Sequence, residues 1–299
     1  MEKKGLVSII VSSYNHEKYI NECLDSIKSQ TYPYIELILA DDFSPDDSVS
    51  VYENWLKKNS YSAKTNFQKK NTGLSTMLNN CMNLVEGEYI KIIAADDFLH
   101  PEAIEKCVAE LERLGNGFGM VFTDTYGVDE NSNSIPDIAD YNSLGNIDKD
   151  LFRKQLIKSN RIAALTVLMR KKALVDTGEY KSDFLVEDYF RWLKISALYY
   201  IAYIPQKLAY YRIHDNNLSS AKKERIEMET LILQMMFDKN GDIKDKINGI
   251  TQKHYISGEK LPLQYLKAYK NYPFKIKRLY TAIHYKLPVP LFKLLNKII

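Results

Sequence analysis

Along the first part of the chain, short apolar and β-branched runs alternate with stretches whose apolar residues recur every three or four positions. "LVSIIVSSYN" is a strand pattern closed by turn residues, after which Ile20, Cys23, Leu24 and Ile27 share one helical face. "IELILADD" repeats the strand pattern. After "FSPDDS", whose Ser and Asp residues suit a turn and an N-cap, Val51, Tyr52, Trp55 and Leu56 mark a second helix. Leu74, Met77, Leu78, Cys81, Met82 and Val85 form a third stripe, followed by the strand "YIKIIAADD". Ile104, Cys107, Val108 and Leu111 line the next helix, opened by Pro101, whose missing N–H costs nothing in a first turn.

This alternation predicts an α/β fold with a mixed, mostly parallel sheet, flanked by helices and joined by right-handed crossovers. In such sheets ligands bind beyond the carboxyl ends of the strands. Three strand ends carry polar sets, at 12–15, 41–42 and 96–97, and they are expected to converge on one crevice. From Gly119 the pattern becomes a strand running into a polar loop, which reads as the sheet edge and the start of an acceptor side. Residues 150–160 read as helix, "ALTVLMR" as strand, "KKALVDTG" as a short helix ended by Gly178, and "VEDYFRWLKISAL" as a helix starting near Glu187. "YIAYIPQKLAYYRIHDNNLS" is strand-like and the chain beyond Lys222 is mostly helical, so the expected organisation is an α/β domain over 1–220 and a helical, basic appendage over 221–299.

Composition sharpens this picture in three places. The 299 residues are 45% hydrophobic, ordinary for a globular protein and against disorder. The net charge of +3 hides an asymmetry: the last forty residues hold nine Lys or Arg and no Asp or Glu, leaving the body with an acidic excess. A basic tail with interleaved Tyr, Phe, Leu and Ile suits an anionic membrane surface, with a helical appendage packed on the protein as the plainer reading. The three cysteines sit on apolar helix stripes, which fits a reducing compartment; no Cys–His spacing suits zinc. The N-terminus reaches a polar turn after too short an apolar run for a signal peptide or span, so the expected location is cytoplasmic, at most at the inner face of the cell membrane.

The candidate chemistry lies in the acidic strand ends. The chain has neither GxGxxG after its first strand nor GxxxxGK[ST], so a phosphorylated ligand would lack the usual glycine cradle. One or two carboxylates holding Mg²⁺ or Mn²⁺ on the ligand's own phosphate oxygens would neutralise it instead, and Asp96–Asp97 supplies them. Taken alone, a pair of aspartates at a strand end is as readily a turn with a helix cap.

The opening "VSIIVSSYNHEKYINECLDSIKSQTYPYIELILADDFSPDDS" resembles family-2 glycosyltransferases, inverting enzymes of the GT-A fold that use nucleotide-diphospho-sugars. "NTGLSTMLNN", "GEYIKIIAADDFLHP", "GEYKSDFLVEDYFRWLKIS" and "YYRIHDNNLS" match later blocks of that family in order, so the likeness covers about 5–220. The resemblance implies that Ser13 and Tyr14 contact the base and that Asp42 accepts a hydrogen bond from it, uracil being the expected base. It implies Asp96 facing the ribose or metal shell, Asp97 as ligand of a Mn²⁺ or Mg²⁺ on the diphosphate, Asp188 as general base and His214 at the diphosphate or metal. The implied partners are a UDP-sugar donor and a saccharide or lipid-linked acceptor of bacterial surface polysaccharide or glycolipid assembly, with no nucleic acid. A metal at the leaving diphosphate stabilises its developing charge, and a carboxylate on the opposite face deprotonates the nucleophile.

Other readings of the same residues stay open. Asp42 suits a helix cap, Asp41 reads as the structural member of its pair, and Asp188 suits a first-turn acid favoured by the helix dipole. Where many members carry Arg before Asn79, this chain has Leu78, which removes a phosphate or ribose contact. No Gln-x-x-Arg-Trp block of the processive synthases is present, so single-sugar addition is expected. The competing functions are a nucleotidyltransferase, against which the missing Gly-rich activation loop speaks, and a catalytically silent nucleotide-binding scaffold. Pocket shape is expected to depend on loops such as 124–147.

Overall fold

The structure is a computed structural model that describes residues 3–136, 148–181, 184–215, 217 and 222–297. Part of the expected pocket loop, residues 137–147, and residues 216, 218 and 219 of the last matched block lie outside the described residues.

The first half builds as the periodicity predicts. Strand β1 (Lys3–Ser13), helix α1 (Ile20–Lys28), β2 (Ile35–Asp41), α2 (Ser48–Asn59), α3 (Leu74–Met82), β4 (Gly87–Ala94) and α4 (Ala103–Leu114) follow one another. A short edge strand, β3 (Lys64–Phe67), precedes α3; its "KTNF" carries no apolar alternation and gave no strand signal. β2 and β4 flank β1 in parallel, with Ser13 beside Asp41 and Ser12 beside Ala94. The polar strand ends at 12–13, 41–42 and 94–97 therefore lie side by side at the carboxyl edge.

Val7, Ile9 and Val11 of β1, with Leu37 and Leu39 of β2, pack on Ile20, Cys23, Leu24 and Ile27 of α1, Tyr52 and Trp55 of α2, and Ile104, Cys107, Val108 and Leu111 of α4. All three cysteines are buried and unpaired. Burying a Leu, Ile or Val is worth about 1.5–3 kcal/mol, so these stripes carry much of the unit's stability.

The second half of the sheet is mixed. After the two-residue β5 (Phe98–Leu99), β6 (Phe118–Val128) hairpins into β7 (Ser134–Ile135); α5 (Lys149–Lys158), β8 (Leu168–Arg170), α6 (Lys171–Thr177), α7 (Glu187–Leu198) and β9 (Tyr200–Arg212) follow. The sheet order is β3-β2-β1-β4-β8-β6-β9-β5, with β7 on β6; β8 is antiparallel to β4 and β6, whereas β9 runs parallel to β6. Only the last part of "ALTVLMR" is strand, its first residues forming a 3-10 turn, Ala164–Thr166. In β9 the register slips around Pro205–Gln206 and again near Leu208, because proline has no N–H for the ladder and the extra residues bulge out.

The described chain divides into two compact units, 1–156 with 160–217, and 157–159 with 218–299. The second is helical: α8 (Lys223–Phe237), α9 (Lys244–Ser257), α10 (Leu263–Asn271), α11 (Lys277–His284) and α12 (Val289–Lys297). In the tail, Leu279, Ala282 and Phe292 are buried, and the Tyr255 ring meets Phe292 edge-on at 5.1 Å.

Candidate active site

The loop after β1 is stitched to the loop after β2. The N–H groups of Asn15, His16 and Glu17 donate to Ser44 Oγ at 2.9 Å, Ser48 Oγ at 3.1 Å and Asp46 Oδ2 at 3.0 Å. "FSPDDS" thus caps no helix by a side chain of its N-cap Asp47; Asp46 instead accepts from Ser48 and holds the neighbouring loop. Asn15 and Phe43 take left-handed backbone, φ 65 and 64, an uncommon state for residues other than glycine that clusters at functional sites. Tyr14, in the same loop, is 48% exposed.

Asp41 is structural, as expected: it accepts from Ser13 Oγ at 2.6 Å and from the Ser44 N–H and hydroxyl at 2.8 and 2.5 Å. The Ser13 hydroxyl is therefore spent on β2, and this buried residue presents no free side chain for a base. Asp42 does cap a turn, but not the one after its own strand. Its Oδ1 accepts from the Thr72 N–H and hydroxyl at 2.8 and 2.9 Å, and its Oδ2 from the Gly73 N–H at 2.7 Å, which leaves a lone pair on Oδ2. Gly73, at φ 82, is the residue before α3.

The structure brings Asp96, Asp97 and His214 together. His214 Nε2 lies 3.1 Å from Asp96 Oδ2, and His16 Nε2 lies 3.6 Å from the same oxygen. The His214 ring stacks on Tyr19 at 5.2 Å. Asp97 Oδ1 accepts the N–H of Arg212 at 2.9 Å, while Asp96 Oδ1 is buried with no partner among the described residues. Burial and the neighbouring Asp96 charge push the Asp97 carboxyl well above the usual carboxylate range. Burial acts in the same sense on Asp96, but the His214 hydrogen bond and the His16 and His214 charges outweigh it and hold that carboxyl low. The two adjacent carboxyls are thus shifted in opposite directions, Asp97 upward and Asp96 downward.

Asp188 stands apart from this set, in the first turn of α7. Its Oδ1 accepts the Tyr189 N–H at 2.5 Å, and Asn160 bonds its carboxyl as well. Desolvation outweighs both bonds and pushes the carboxyl up to about 6. A carboxyl of that strength is mostly ionised at neutrality and is a stronger base than an ordinary aspartate, which suits proton abstraction.

His16, Arg212, Glu22 and Asn217 were not among the residues expected at the site. Asn217 accepts the His214 N–H at 2.6 Å and donates to the Arg212 carbonyl at 3.2 Å, so "RIHDNN" is a closed local unit. The spacing of its polar residues was the available signal. Leu78 is 2% exposed, on the inner face of α3.

The family model described as Glycosyl transferase family 2 matches residues 8–175, more than half of the chain. This protein belongs to glycosyl transferase family 2. An uncharacterized glycosyltransferase of Haemophilus influenzae is 31% identical over 227 residues, covering 74% of this family-2 chain and 69% of that protein. Chondroitin synthase of Escherichia coli is 28% identical, covering 77% of this chain but 32% of its own. Among solved structures, S. aureus TarS 1–349 in complex with UDP-GlcNAc aligns at TM-score 0.67 with 19% identity, covering 94% of this chain and 86% of that one. The Pyrobaculum calidifontis mannosyltransferase PcManGT, in complex with GDP-Man and Mn²⁺, aligns at TM-score 0.60 with 17% identity, over 97% and 78%. The fold is GT-A, and the family-2 chain is a glycosyltransferase.

Proposed function

We propose that this glycosyltransferase moves one sugar from a nucleotide-diphospho-sugar, a UDP-sugar, to a saccharide or lipid-linked saccharide acceptor, with inversion and with Mn²⁺ or Mg²⁺ at the diphosphate. The observation that carries the reading is the buried Asp96–Asp97 pair at the carboxyl edge, with Asp96 Oδ1 unpartnered. Among the described residues no group of three His, Cys, Asp or Glu side chains is arranged to hold a cation unaided. Two carboxylates, one with a vacant buried oxygen, suit a hard ion that keeps waters and is completed by phosphate oxygens. Asp97 and Asp96, with His214 beside them, would hold it. The bound ion would neutralise the departing diphosphate as a Lewis acid.

The remaining roles belong to the chain's own groups. Tyr14 offers an exposed ring for the base, with the backbone around Ser13 beneath it, and the lone pair on Asp42 Oδ2 accepts a base N–H. Asp188 takes the acceptor hydroxyl proton. The printed ligands of the structural neighbours, UDP-GlcNAc in one and GDP-Man with Mn²⁺ in the other, support a nucleotide-sugar donor. The likeness to chondroitin synthase of Escherichia coli and to the putative glycosyltransferase EpsE of Bacillus subtilis supports a role in polysaccharide assembly.

A thermal-shift titration with UDP, GDP, dTDP and CDP, each with and without Mn²⁺, tests the reading. A nucleotide at 100 times its dissociation constant adds about 2.7 kcal/mol to folding stability. The expected result is stabilisation by UDP with Mn²⁺, lost in Asp97→Ala. Indifference to every nucleotide, metal or not, would leave a silent scaffold in its place.

A further inference from the structure

Arg212 ends β9, and its bonds surround the carboxylate pair. Its N–H donates to Asp97 Oδ1, and its Nε donates to the Asp96 carbonyl at 2.7 Å. Nη1 reaches the Asp129 carbonyl and the Ser132 hydroxyl, each at 3.0 Å, and Nη2 pairs with Glu22 of α1. Ser132 Oγ donates in turn to Glu22 Oε2 at 2.8 Å. The rings of Tyr19 and Phe98 lie 4.7 and 5.5 Å from the guanidinium carbon. Four of the five guanidinium N–H groups are thereby matched to oxygens of three separate segments, in a side chain 1% exposed.

Burying a guanidinium carries a large desolvation cost, and an apolar side chain between Tyr19 and Phe98 would fill the same space without it. An apolar chain could not grip the Asp96 carbonyl, which belongs to the peptide joining Asp96 to Asp97. The orientation of that peptide sets the direction in which the two carboxylates diverge. The other backbone ties of the turn, the Ala95 N–H to the Ser12 carbonyl at 2.8 Å and the Asp97 N–H to the Ala94 carbonyl at 3.1 Å, do not reach the Asp96 carbonyl.

We infer that Arg212 is a positioning residue for the Asp96–Asp97 pair, fixing its connecting peptide by a guanidinium that Glu22, Ser132 and Asp129 hold from the far side. This rests on the metal-dependent reading above. Octahedral ions bind by near-ideal oxygen geometry, and losing a group that orients ligands typically lowers metal affinity by about 10–100-fold. Lysine keeps the charge and loses the fork that reaches four oxygens at once.

The test is a Mn²⁺ titration of the full chain, free Mn²⁺ being followed by electron paramagnetic resonance with and without UDP, and metal-free UDP binding by calorimetry. Arg212→Lys is expected to weaken Mn²⁺ binding by about 10–100-fold and to leave metal-free UDP binding near that of the parent. Glu22→Gln and Ser132→Ala, which loosen the fork without removing it, should weaken Mn²⁺ in the same direction by less, and they decide the matter if Arg212→Lys does not fold. Parent-like Mn²⁺ affinity in all three variants overturns the inference, as does an equal loss of metal-free UDP binding, which would make Arg212 a general fold residue. A parent protein that binds no Mn²⁺, as Asp97→Ala should not, overturns the metal-dependent reading itself and the inference with it.

Discussion

Asp188, the proposed general base, links a stability expectation to an activity expectation. Its folded value near 6 lies above the ordinary 3.8, so between those values the folded state binds the proton more tightly than the unfolded chain. Its effect on stability therefore becomes unfavourable as pH rises through that window. Asp188→Asn should be more stable than the parent by an amount on the order of 1 kcal/mol at pH 7, with the difference vanishing below the ordinary carboxylate range; melting curves from pH 3.5 to 8 would show it. Sugar transfer should fall in the parent as pH drops through about 6. The same variant should lose roughly 10²–10⁴-fold in transfer rate, more stable and less active together. Asp42 presents the opposite balance. Asp42→Ala orphans the Thr72 and Gly73 N–H groups, an expected cost of about 1–3 kcal/mol, visible as a lower urea midpoint at unchanged slope, with weaker nucleotide binding besides.

At the scale of elements, the long strands and amphipathic helices were legible because burial imposes a period, and the sequence shows that period directly. The helices at Ile20, Ser48, Leu74 and Ala103 and the strands at Ile35 and Gly87 follow from it. β3, β5 and β7 did not show, since strands of two to four residues at an edge or hairpin are too short for any period to emerge. The candidate site divides the same way. Asp96 and Asp97 stood out as acids at a strand end, whereas Arg212 meets Glu22 across 190 positions of chain, a pairing only the closed sheet creates. Close approach of elements is equally invisible in sequence. A Cβ on Gly119 of β6 would lie 2.8 Å from Tyr199 Cβ and 3.0 Å from Ala173 Cβ, so Gly119→Ala should destabilise by about 1–3 kcal/mol, measured by chemical denaturation.

At the scale of the whole molecule, the basic tail folds into helices of the second unit. Leu279, Ala282 and Phe292 turn inward, while Lys267, Lys270, Lys277, Arg278, Lys286 and Lys293 are exposed. Among the described residues no helix is long and apolar enough to cross a membrane. Leu263, Ile276, Tyr285 and Leu291 are exposed among them, but the six basic side chains outnumber these, so any attraction to a bilayer should be mainly electrostatic. Co-sedimentation with anionic vesicles is expected at low salt and should fade as the screening length shortens toward 3 Å near 1 M, with none on neutral vesicles at any salt.

The bulge in β9 also bears on how such a chain can vary in length. Three residues of β9 have no counterpart in β6 between Thr123 and Thr125, and Gln206 there makes only a surface bond to Lys106. Beyond Ala209 the register runs without slippage to Arg212. An insertion or deletion at 205–206 can be absorbed where the ladder is already interrupted. The same change between 209 and 212 would turn Arg212 to the opposite face of the sheet. The irregularity around Pro205 is thus a buffer for length drift, placed just upstream of the residues whose direction the site requires.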